Sequence, residues 1–102
     1  MNLIFKKKSY SFKLLTKLKN SKTTYLTKSG WIIKLTSNDK KIGFGEVSPL
    51  NKEDLKKCAK QLDMIPSYVE LFNLSEQINI FHPCIQSAIN SALAEILSLI
   101  HI

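Results

Sequence analysis

Two histidines, two cysteines and eight carboxylates are the first groups in this sequence to weigh for holding a metal, attacking carbon or moving a proton. His82 and His101 share no ligand spacing with each other or with a cysteine. His82 stands directly before Pro83 and reads as a helix-start residue. Cys58 and Cys84 lie far apart in helical patterns, too few for a disulfide scaffold and outside any paired metal spacing. They read as small buried hydrophobes of a reducing compartment. Glu46 has no second carboxylate or histidine beside it in the chain, so it reads as a structural strand-end residue rather than a general acid or base. Spacing alone assigns no catalytic residue and no metal ligand.

Charge is the next chemical signal. The formal net charge is +7, and all fifteen basic residues are lysine. Residues 1–41 hold eleven lysines against one acid, Asp39, whereas residues 42–102 hold four lysines against seven acids. A basic half suggests nucleic acid, but base-edge readout and planar phosphate recognition lean on the arginine fork. Its absence weighs against that partner. The Lys6-Lys7-Lys8 run reads as a solvated edge that guards a strand from unwanted pairing.

The elements that must position these groups follow from hydrophobic period. At 102 residues, with 44% apolar and 23% charged, the chain has room for one ordinary globular core. No apolar run approaches a membrane span of about 18 residues, and the start has the wrong order and length for a secretory signal. The expectation is a cytoplasmic protein with no membrane partner. Tyr10, Phe12 and Leu14 alternate with Ser11 and Lys13, the period of a half-buried strand. Leu3 and Phe5 extend it backwards, with Lys6 to Lys8 as a bend or bulge. The polar stretch Thr16–Lys28 shows no period and reads as a long mobile loop, a length more often functional than not. Gly30 to Leu35 and Ile42 to Val47 read as two further strands joined at Ser37-Asn38-Asp39-Lys40, with Trp31 and Phe44 as core aromatics. Gly43 and Gly45 weaken the last strand, so something must approach its backbone closely or bend it.

Helices follow the strands. Asn51 caps the first, with Leu50 and Leu55 at the positions of a hydrophobic staple and Leu55, Cys58, Ala59 and Leu62 on one face. A second is expected from Ser67, with Glu70 completing a capping box, through Leu71 and Leu74. Pro83 opens the third, where Ile85, Ala88, Ile89, Ala92, Leu93 and Ile96 form an apolar stripe. The fold class is α+β, a three-stranded antiparallel meander followed by about three helices.

The run Gly43-Phe44-Gly45-Glu46-Val47-Ser48-Pro49-Leu50, followed by a capped helix, resembles the N-terminal capping domain of the enolase superfamily, above all its o-succinylbenzoate synthase group. Tyr10 to Leu14 and Gly30 to Leu35 are similar to the family's first two strands, and Pro83 to Leu93 to the proline-led helix that closes the cap. The ordered likeness covers roughly residues 2–96. Leu50 runs straight into Asn51 where relatives carry a longer stretch, and Lys28 stands near the place of a common arginine.

The resemblance implies a lyase whose chemistry is housed elsewhere. In that family a lysine abstracts a proton next to a carboxylate, and Mg2+ stabilises the enediolate; dehydration then yields o-succinylbenzoate on the route to menaquinone or phylloquinone. The lysines and the acidic metal ligands lie on a following (β/α)-barrel, absent from this chain, so no catalytic residue and no cofactor is carried over. The barrel is the implied partner, and an anionic carboxylate the implied substrate of the parent. The cap supplies a lid from the segments after its first and third strands, here Thr16–Lys28 and Val47–Asn51. Lys22, Thr23, Thr24, Tyr25 and Ser48 are the candidate donors to the substrate.

Two alternatives stand beside this reading. One is another enolase-superfamily member, a dipeptide epimerase or a muconate cycloisomerase. The other is a small basic nucleic-acid-binding module. The last six residues, 97–102, carry no helix stop signal and look like translated sequencing-adapter read-through, so the native domain is expected over residues 1–96.

Overall fold

The computed structural model describes residues 1–17 and 23–98. A four-stranded antiparallel sheet is backed on one face by helices, with strand order β3-β2-β1-β4. Strands β1 (Asn2–Lys17) and β2 (Thr23–Ser37) pair without interruption from Leu3↔Ser37 to Lys17↔Thr23. Strand β3 (Ile42–Val47) continues the meander, and the three-residue β4 (Tyr68–Glu70) covers the other edge of β1 at Asn2 to Ile4 only. Helices α1 (Lys52–Asp63), α2 (Leu71–Gln77) and α3 (Pro83–Ser98) follow, with a 3-10 turn at Ile78–Ile80. The α+β class, the meander and the three helices are as the sequence indicates.

Period two sets the core. Leu3, Phe5, Ile33, Leu35 and Val47 share the helix-side face and are buried with Ile85, Ala88, Ile89, Ala92 and Ile96 of α3. Each fully buried aliphatic there contributes about 1.5–3 kcal/mol relative to exposure. The two strand glycines explain how α3 comes so close. A Cβ at Gly43 would meet the Ala92 carbonyl, and one at Gly45 the Ala88 carbonyl. The small residues of both elements together let backbone approach backbone. The Asn51 side chain caps α1 by accepting from the Asp54 amide at 2.8 Å.

Several expectations are corrected. Most of the expected Thr16–Lys28 loop is strand: Thr16 and Lys17 pair with Thr24 and Thr23, and β2 runs on through Lys28, leaving only residues 18–22 outside the described part. Beyond Val47↔Trp31 no third strand pairs with this hairpin among the described residues. Lys6 to Lys8 form no bulge but pair in register with Lys34, Ile33 and Ile32. Unbroken parity from Leu3 and Phe5 therefore puts Tyr10 and Phe12 on the opposite, open face, where Phe12 is 45% exposed. Phe44 lies on that open face too, 49% exposed, while Trp31 packs partly buried against the core. Leu50 is 98% exposed and staples nothing. Where a helix was expected from Ser67, Tyr68 to Glu70 form β4, and α2 begins at Leu71 with no side-chain cap from Glu70. Pairing with the open edge of β1 outweighs a local capping signal.

Candidate functional site

Of the two segments expected to form a lid, only Thr27 at the end of the first lies beside the second. On the helix side, Thr27 and Ser29 of β2 line a shallow hollow with Pro49, Leu50, Asn51 and Leu55. Strand β3 ends at Val47 opposite Trp31, so the chain turns towards α1 just where the β1–β2 hairpin passes on beyond it. Pro49 and the Asn51 cap set the direction of that turn.

The candidate donors fall in three places. Ser48 is half-buried and lines a neighbouring hollow with Glu46, Pro83, Cys84 and Ser87. Thr23, Thr24 and Tyr25 lie in β2, paired with Lys17, Thr16 and Leu15. At about 3.4 Å per residue they stand roughly 7–14 Å further out along the hairpin than Thr27. Lys22 lies outside the described residues. The hairpin thus brings its base, not Thr23 to Tyr25, beside the Val47–Asn51 segment.

A second constellation escaped the sequence reading. The Tyr10 hydroxyl donates to Glu46 Oε2 at 3.0 Å, and Lys28 Nζ lies 3.7 Å from the same oxygen. Tyr10 belongs to β1 and Glu46 to β3, with β2 between them. Gly30 opens the way, because a Cβ there would stand 2.8 Å from the Tyr10 hydroxyl oxygen. Tyr10 also stacks on Phe12, ring centroids 5.7 Å apart. Glu46 is held as a strand tie on the open face, consistent with its expected structural role. A glycine directly before the Trp31 strand was the one signal available.

His82 sits at the start of α3, as expected. Its Nδ1 accepts from the Cys84 amide at 3.1 Å, its Nε2 lies 3.2 Å from Asp54 Oδ1, and its own amide donates to Gln61 Oε1 at 2.6 Å. The imidazole thereby caps α3 and ties it to α1. Both cysteines are free thiols. Burial pushes the Cys58 thiol up to about 11, with Cys84 and Asp54 nearby adding to the rise. Such a thiol stays protonated at neutral pH and is a poor nucleophile. At the turn, the Ser37 hydroxyl donates to Asp39 and Lys41 lies beside it, holding the Asp39 carboxyl below its usual range.

The Mg2+ that the resemblance implies for the parent finds no fitting site among the described residues. Among the described residues no three His, Cys, Asp or Glu side chains gather as a ligand set. Glu46 is engaged with Tyr10 and Lys28, and Asp54 with His82. Also among the described residues, no helix is long and apolar enough to cross a membrane. No protein-family model, curated protein or solved structure matches the chain.

Proposed function

We propose that this chain is the lid-bearing capping domain of an o-succinylbenzoate synthase-like lyase of the cytoplasm, inactive without its barrel. The reading rests on the ordered resemblance of the strand, Gly-Phe-Gly-Glu and proline-led helix segments. One structural observation supports it most directly: the Val47–Asn51 segment and the base of the β1–β2 hairpin flank a common hollow at one end of the sheet. Two segments far apart in sequence must lie side by side if they are to close over a single barrel mouth. The cap's part is then to exclude water and to present hydroxyls and ammonium groups to an anionic substrate, while the parent's barrel supplies the proton transfer and the metal ion.

The test is to read about 600 further nucleotides of the source gene, roughly a barrel's worth of codons, and to assay the full product. A Lys-x-Lys and spaced acidic ligands downstream, with conversion to o-succinylbenzoate by the joined protein and none by residues 1–102, are the expected results. Turnover of a dipeptide or a muconate instead would move the protein to another branch of the superfamily. A genuine stop codon after Ile102 with no barrel beyond would sink the reading.

A further inference from the structure

The open face of the sheet has an unusual arrangement of charge. Lys6 of β1 stands directly across from Lys34 of β2, and Lys8 follows on the same face opposite Ile32. Like charges directly opposed across strands destabilise a sheet. Lys7, Lys28 and Lys41 each have a carboxylate partner, yet among the described residues none pairs with Lys6, Lys8 or Lys34. Folding therefore leaves in place a repulsion that an external anion would relieve.

Apolar side chains surround this cluster. Phe44 lies opposite Lys34 and Ile42 opposite Thr36, and Ile32, Ile42 and Phe44 all remain well exposed. Lys6, Lys7, Lys8, Lys34, Ile32 and Phe44 line one shallow, largely apolar hollow. Lysine stems can lie along such a surface while their ammonium groups reach outward as compact, non-directional charges. Flat, lysine-rimmed apolar faces of this kind suit the boundary between headgroups and acyl chains. Single-stranded nucleic acid fits less well. Phe44 is the one aromatic ring among the residues lining the hollow, Tyr10 and Phe12 further along the same face stack on each other, and no amide or guanidinium lines the hollow to read a base edge. A second copy laid face to face would bring lysines onto lysines.

We propose that this open face is a peripheral docking surface for the anionic phospholipids of a membrane. A face that lies on a bilayer needs no spanning helix. It is the side of the sheet away from the Pro49–Asn51 hollow, so the inference does not depend on the lid reading.

Co-sedimentation of the 102-residue chain with vesicles tests it. Binding is expected with phosphatidylglycerol in phosphatidylcholine, little with phosphatidylcholine alone, and a decline with salt. Replacing Lys6, Lys8 and Lys34 together by glutamine should cut partitioning roughly a hundredfold, at about fivefold per lysine or about 1 kcal/mol each. Phe44→Ser should weaken binding further. Replacing the exposed Lys56, Lys57 and Lys60 of α1 by glutamine removes the same charge from another side and should change binding less than about twofold. Circular dichroism confirms that each variant is folded. Equal losses in the two triple variants would reduce the effect to net charge and overturn the proposal. So would no binding to phosphatidylglycerol vesicles, or tighter, Phe44-dependent binding to a single-stranded oligonucleotide, which would make the face a stacking platform.

Discussion

On the helix side of the sheet Leu3, Phe5, Ile33, Leu35 and Val47 are buried, and two glycines let α3 settle onto the strand backbone. One residue along each strand, the opposite face carries Lys6, Lys8, Ile32 and Phe44 exposed and Lys34 half-buried. The same backbone ladder supports both faces, so the difference lies entirely in side chains of alternate parity. Stability is concentrated on one face, and the other is free to carry charge that works against stability.

The sharpest way to break this contrast is Gly45→Val. Its side chain would meet the Ala88 carbonyl, so α3 must lift from β3, with an expected loss of about 3 kcal/mol or more in urea unfolding. A loss under about 1 kcal/mol would mean that the close approach is not required. Next comes the pair Leu35→Ala and Phe44→Ala. The first removes a fully buried side chain and should cost about 2–5 kcal/mol, whereas the exposed Phe44 should cost within about 0.5 kcal/mol. Similar costs for both would erase the distinction between the faces. Asn51→Ala removes the α1 cap and should cost about 1 kcal/mol, largely recovered by Asn51→Asp.

Cys58 adds a pH dependence to the buried side. Its folded pKa is raised from 9.0 to about 11, so the folded state holds the proton longer than the unfolded chain. Its contribution is fully present below pH 9 and is lost as pH rises through about 11. Cys58→Ala should flatten the fall in urea midpoint across that window, and an unchanged slope would assign the fall to other groups. The smallest effect belongs to the open face. Lys34→Gln relieves the repulsion from Lys6 and should stabilise by about 0.2–1 kcal/mol, more at low salt.

Legibility followed the same division. The apolar stripe of α3, the Asn51 cap, the Ile32–Leu35 and Ile42–Val47 strands and the need for close approach at Gly43 and Gly45 were all written in local patterns. The outer hairpin and β4 were not. The hairpin's polar run shows no period, and Tyr68 to Glu70 become strand only because the edge of β1 offers them hydrogen bonds. Of the candidate site, only Thr27 of the expected first lid segment lines a hollow with Pro49 to Asn51, and none of the expected donors does, whereas the Tyr10–Glu46–Lys28 tie depended on a cross-sheet reach through Gly30.

By itself, then, the sequence determined the class of fold, the order of its main elements and the face that α3 buries, because period and capping act over a few neighbouring residues. Tertiary structure alone decided which face Tyr10, Phe12 and Phe44 share with the lysines. That outcome depends on unbroken register over the whole length of β1 and β2, and a single bulge at Lys6 to Lys8 would have turned Tyr10 and Phe12 inward.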